Sequence, residues 1–369
     1  MKALCWLHRP MSSMSQASIK PRHRKLIAVE TEIYSPSINS DIHYRGYPLR
    51  QLVKQSTITD VAHLLLKKDL PDVESRQEFI NRMNEGINLL PSSIHTLHGL
   101  MPPEANVTDV LMASLSFLEM DSNPEELAYE AVCGQCLAIM SQWHCKTSDN
   151  IPSTENPIVD FILHILGSST NNSLDSETKE LLNTIAILYT DHGLTNASYA
   201  ARLCTTERGS VYSSLISALA AHKKCIPMFS WQNYKAFINA SNIEINTLLK
   251  TLHEEKRLPK PFRDFVHPSK DPRTVILMEH CDHEKIVELT EIDNKFDRKC
   301  HLRFDVFVYH LMRRLFHDDP EKALVAMRIV ILVPRILGWL AHIAEQKEVK
   351  RTIQHIAAYV GPPPRSIDS

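Results

Sequence analysis

Arg335 is the residue whose setting most plainly calls for chemistry. It stands inside Ile329–Leu340, the most apolar run of the chain. A guanidinium in such a run usually has a partner, because an unpaired buried charge is costly, and that favours an anion site, an acidic side chain or a bound ligand, over a solvated arginine. Asp305 and His192 are less distinctive by themselves. Asp305 opens a helical pattern, where an aspartate commonly caps, and His192 ends another, where a histidine commonly caps or packs. Cys133 and Cys136 form a CxxC, the spacing of a redox motif or of half a zinc site. No second pair stands at zinc-site spacing, and the surrounding segment is apolar and helical. Two thiols packed one turn apart are the plainer reading. His280, Cys281 and His283 make a similarly weak group.

The elements that must position these residues read as helices. Nine glycines serve the whole chain, and none lies between Ser210 and Leu337. Strand-rich and phosphate-cradling folds lean on glycine turns, so a gap of that size argues for helices joined by Pro, Asn, Asp and Ser turns. Apolar stripes and start signals predict helices over Ser56–Leu66, from a Thr108 cap, from Pro124, and over Ser173–Asp191, Ser198–Leu203 and Val211–Ala221. Others follow over Ile243–Leu252, Lys285–Leu289, Val306–Phe316 and Glu321–Gln346. Short strands are expected only over Lys25–Ser37 and His43–Arg45. The fold class is all-α.

Composition narrows the function. The chain has 369 residues, 43% of them hydrophobic, which is enough for more than one comfortable core. With 41 basic and 43 acidic side chains the formal charge is -2, so nothing advertises nucleic acid or an anionic membrane. No run of ~18 apolar residues suits a membrane span. Eight scattered cysteines read as reduced intracellular thiols. The first 29 residues are basic, serine-rich and free of acids, as a transit peptide or a loose basic tail would be. The tail reading implies a cytoplasmic protein, the transit peptide a mitochondrial one.

Several blocks, in order, resemble the citrate synthase and 2-methylcitrate synthase family, most closely its bacterial branch. Ile42-His-Tyr-Arg-Gly-Tyr47 resembles the family's "YRGY" turn, and Met101-Pro-Pro-Glu-Ala105 with Asp109-Val-Leu111 its "PPDAHPMDVL". Asp191-His-Gly-Leu-Thr-Asn-Ala-Ser198 with Ala200-Ala-Arg202 resembles "DHELNASTFAAR", and Asp271-Pro-Arg273 resembles "YDPRA". Arg335-Ile-Leu-Gly-Trp-Leu-Ala-His342 is similar to "ARVAGWLAH", and Tyr359-Val-Gly-Pro362 to the terminal "YIGP". The resemblance covers roughly residues 25 to 362 and implies an all-helical fold. In it a basic tail (1–24) precedes a large dimerising domain (25–227 and 317–369), with a small domain (228–316) inserted. It further implies a homodimer, built through helices near Glu125–Met140 and Asn183–Ala221.

The family's reaction is a Claisen-type condensation, needing a base for the acyl-CoA carbon, a donor for the enolate oxygen, cations for oxaloacetate and a donor on its ketone. By resemblance Asp305 is the base, while His192, Arg273 and Arg335 bind the dicarboxylate. Acyl-CoA enters as a substrate, and no cofactor or metal is implied. Three parts of the family's set are missing. Lys224-Cys-Ile-Pro-Met-Phe-Ser230 stands where "GPLHGGAN" supplies the enolate-holding histidine. Pro261-Phe-Arg-Asp-Phe-Val-His267 stands where "GFGHRVY" supplies the ketone donor, so Asp264 takes that histidine's position. Gln354-His-Ile356 replaces "RPR". His222 and His267 lie near the gaps and are the candidate substitutes, although the plainer reading leaves both at the surface. The expectation is a family member with little or no synthase activity. It would act as a ligand-binding or regulatory protein, alone or beside an active paralogue. The alternative is a divergent synthase using acetyl-CoA or propionyl-CoA.

Overall fold

The computed structural model describes residues 29–38, 41–121, 127–145, 156–167, 176–223, 271–281, 304–316, 319–349 and 352–353. A small antiparallel sheet comes first, with strands β1 (Tyr34–Ile38), β2 (Asp41–Tyr44) and β3 (Tyr47–Pro48) in that order. Helices follow: α1 (Leu49–Gln55), α2 (Ile58–Lys67), α3 (Val73–Asn88), α4 (Ser93–Gly99), α5 (Val107–Asp121), α6 (Tyr129–Cys145) and α7 (Pro157–Gly167). The second half holds α8 (Ser176–Thr190), α9 (Asn196–Thr206), α10 (Val211–His222), α11 (Pro272–Glu279), α12 (Phe304–Leu315) and α13 (Pro320–Val349). The all-α class holds. Among the described residues β1 begins only at Tyr34, β2 begins two residues before the expected His43, and β3 adds a third partner. In the β2–β3 turn Arg45 and Gly46 both have positive φ (49° and 86°), the backbone that a two-residue hairpin requires.

Local capping explains most helix starts. Thr57 and Asp60 form a reciprocal capping box at α2, and Thr195 and Ser210 accept from Ser198 and Ser213 at the starts of α9 and α10. One expected cap is corrected. Thr108 already lies inside α5, and the Asn106 side chain accepts from the backbone N–H of Thr108 and Asp109 at 3.0 and 3.1 Å. Asparagine is as good a cap as threonine, and the first apolar position of the stripe, Val107, had to be inside the helix. Helices α1, α3, α4, α7 and α11 were not foreseen. The expected helices over Ile243–Leu252 and Lys285–Leu289, the Pro124 start and most of the expected small domain lie outside the described residues.

The core is organised around α13, which packs on α2, α8, α9, α10 and α12. It is long and apolar enough to cross a membrane, which the sequence pattern did not suggest, but most of it is buried inside the fold and it carries Arg335, His342 and Glu345 on contacts with other elements. That is the behaviour of a core helix. Gly338 lets it come close to the end of α8: a Cβ there would meet the Thr190 carbonyl oxygen at 2.0 Å and the Asp191 carboxylate at 3.3 Å. Helix α6 is buried nearly all round against α3, α5, α7 and α13. Its apolar character is therefore satisfied within one chain and does not by itself demand a second copy.

Candidate active site

The end of α8, the turn Asp191–Gly193 and the first turns of α11 and α12 meet the middle of α13. Arg335 projects from α13 and is 7% exposed. Its Nε is buried without a hydrogen-bond partner, and among the described residues no carboxylate is in ion-pair contact with it. Its guanidinium carbon lies 5.9 Å from the centre of the Tyr189 ring, at the edge of cation–π range. Burial lowers the affinity of Arg335 for its proton, and the neighbouring charge of Arg273 lowers it further. The Asp191 carboxylate opposes both. The two buried cations thus repel each other, and the carboxylate that contacts Arg273 is committed to it, leaving Arg335 without an ion pair among the described residues.

Arg273 reaches the same place from α11. Asp271 caps that helix by accepting from the Arg273 backbone N–H at 2.9 Å, and its carboxylate receives the Arg273 guanidinium as well, at 2.6 to 3.1 Å. The Asp-Pro order makes this legible in retrospect, since an aspartate cap followed by proline at the first helical position is a strong start signal. The Arg273 guanidinium also lies 4.8 Å from the centre of the Phe304 ring, and its Nη2 is 3.4 Å from His192 Nε2. His192 is buried, with the Tyr34 ring against it edge-on at 6.2 Å. His192, Arg273 and Arg335, chosen from sequence, do come together.

Asp305 joins them through Tyr189. It is the second residue of α12, and one of its carboxylate oxygens accepts the Tyr189 hydroxyl at 2.7 Å. Burial pushes the Tyr189 phenol well up, and the Asp305 charge adds to that, so Tyr189 stays a donor. Tyr189 therefore links the Asp305 carboxylate to the Arg335 cation. Sequence reading missed it, along with Asp271, Trp339 and His342. The signal for the last two was present, because Arg335, Trp339 and His342 are spaced four and three apart and share one helix face.

His222 departs from the surface position expected of it. It ends α10 with its ring packed edge-on against Trp339, centroids 5.1 Å apart, and its Nε2 is buried without a hydrogen-bond partner. Burial drives its pKa down to about 3; Arg335 contributes to that and Asp305 opposes it, so the ring sits within the field of both site charges. Because the folded pKa lies below the unfolded one, the unfolded chain binds a proton between roughly pH 6.5 and 3 that the native state refuses. The stability contributed by neutral His222 is present above that window and lost as pH falls through it, with a slope of up to ~1.4 kcal/mol per pH unit. Urea unfolding of wild type and His222→Gln at pH 7 and pH 5 should show the variant losing less on acidification. Equal losses would refute the lowered pKa of His222.

Asp264, His267 and the stretches replacing the two histidine motifs and "RPR" lie outside the described residues. Cys133 and Cys136 are free and fully buried, and burial pushes the Cys133 thiol up to about 12, which suits packing and not thiolate chemistry. His280 Nδ1 bonds the Ile276 carbonyl oxygen at 2.9 Å, at the end of its own helix.

Residues 22–355 match the family model described as the C-terminal domain of citrate synthase, so the chain belongs to the citrate synthase family. It is 22% identical to the 2-methylcitrate synthase of Shewanella oneidensis, over 92% of this chain and 94% of that one. It is 24% identical to the citrate/2-methylcitrate synthase of Bacillus subtilis, over 91% and 95%. Among solved structures it is similar to citrate synthase from Thermotoga maritima (TM-score 0.70, 21% identity, 92% of this chain and 94% of that one). It is also similar to the Thermoplasma acidophilum enzyme in its ternary complex with carboxymethyl coenzyme A and oxaloacetate (TM-score 0.74, 17% identity, 92% and 95%).

Proposed function

We propose that this chain binds a dicarboxylate of the oxaloacetate class and condenses it with acyl-CoA only weakly, acting as a ligand-binding or regulatory member of its family. The observation that carries the reading is Arg335: a buried guanidinium with no ion-pair partner among the described residues, beside a second cation and a histidine. An anion with two carboxylates supplies what that arrangement lacks, and the ring of His192 offers a polar contact for its third oxygen group. The homodimer implied by the resemblance, or a dimer with an active paralogue, belongs to the same proposal. Calorimetric titration with oxaloacetate tests the binding, with pyruvate as the one-carboxylate control. Saturable oxaloacetate binding at least about tenfold tighter than pyruvate is expected. Equal affinities, or none, would remove the basis of the reading.

A second reading is a working, divergent synthase for acetyl-CoA or propionyl-CoA. His222 favours it, because a neutral imidazole with an unpartnered Nε2 beside Trp339, in the field of Asp305 and Arg335, is the kind of donor the enolate oxygen needs.

A further inference from the structure

Behind His192 runs a chain of buried polar contacts that joins three distant segments. Asp191 Oδ1 accepts from the Gly193 backbone N–H at 2.7 Å, while Oδ2 meets His342 Nε2 at 3.0 Å. His342 Nδ1 lies 3.3 Å from Arg202 Nη1; Arg202 pairs with Glu345 and donates from Nε to Gln346 Oε1 at 3.0 Å. From the other side the Tyr44 hydroxyl donates to the Asp191 carbonyl oxygen at 2.9 Å. Arg202 and His342 are 0% exposed, Asp191 1%. The turn that holds His192 is therefore clamped through Asp191 by α13, α9 and the sheet.

The order of donors fixes the state of His342. A guanidinium has no acceptor, so Nδ1 must take the Arg202 proton in a hydrogen bond and carry none itself. The ring proton then sits on Nε2 and is donated to Asp191. A neutral donor anchors the carboxylate without cancelling its charge, and Arg202 is balanced separately by Glu345. Asp191 is left as the anion that partly offsets Arg335.

We infer that His342 is a positioning residue of the dicarboxylate site, holding the Asp191–Gly193 turn so that His192 faces Arg273. It touches no ligand. A lysine or arginine in its place would neutralise Asp191, and an apolar residue would leave both Asp191 and Arg202 short of a partner in a dry interior.

The affinity arm rests on the dicarboxylate reading; the spectroscopic arm does not. His342→Leu is expected to weaken oxaloacetate binding about ten- to a hundredfold. His342→Gln, whose amide can donate to Asp191 and accept from Arg202, is expected to return it to within about threefold of wild type. Correlation spectra of the ¹⁵N-histidine-labelled wild type at neutral pH should show His342, assigned through the glutamine variant, protonated on Nε2 alone. Absence of oxaloacetate binding by wild type would sink the dicarboxylate reading while leaving that spectrum to decide the placement. The inference is overturned by a proton on Nδ1, or by a folded His342→Gln that binds as poorly as His342→Leu.

Discussion

Replacing Arg335 by methionine should weaken oxaloacetate binding by roughly a hundredfold or more while making the empty protein more stable. The two effects have one cause. Arg335 is desolvated, its Nε has no partner and Arg273 repels it, so its charge is held at a cost the fold does not recover without a ligand. Methionine is close in length, fills the space and removes that cost; exchanging even paired buried charges for well-packed apolar residues has been neutral or stabilising by up to about 1–4 kcal/mol in other proteins. The same exchange removes a charge-assisted contact to the anion inside a low-dielectric site, where such contacts count most. Oxaloacetate titration and ligand-free urea unfolding check the pair. A variant that loses stability along with binding would mean that Arg335 already has a structural partner and is no vacant anion site.

Release of CoA from acetyl-CoA or propionyl-CoA in the presence of oxaloacetate is expected to stay below about one per second, the lower end of ordinary enzyme turnover. Asp305 is present and held by Tyr189, but a base removes a proton from a thioester methyl usefully only if the enolate oxygen is held as it forms. By the resemblance, Lys224–Ser230 stands where the family's enolate-holding histidine motif lies and contains neither histidine nor glycine, and Asp264 stands at the position of the family's ketone donor. Each missing donor costs about 100- to 1000-fold. A thiol-release assay beside an authentic synthase decides the matter. Turnover above about one per second would favour the second reading, and His222→Ala would then be expected to abolish it.

Some of this protein was determined by sequence alone because the forces concerned act within a few residues. A threonine or serine at a helix start accepts from the N–H two or three residues on, so the caps at Thr195 and Ser210 follow from local order. The glycine gap after Ser210 signalled helices in the same way. Arg335 pointed to an anion site because a charge carried into an apolar interior is usually met by an opposite one. The ordered blocks around His192, Arg273 and Arg335 carried the family. Tertiary structure alone decided who meets whom. Asp191 and His342 are 151 residues apart, Tyr189 and Asp305 116 apart, and no local pattern says that one carboxylate will find an imidazole and the other a phenol. His222 shows the same limit: at the polar end of a helix it reads as a surface side chain, and only the approach of α13, with Trp339 facing it, half-buries the residue, encloses its Nε2 and lowers its pKa. A side chain's state depends on the field and dielectric around it, and those are set by packing between helices that the chain brings together from far apart.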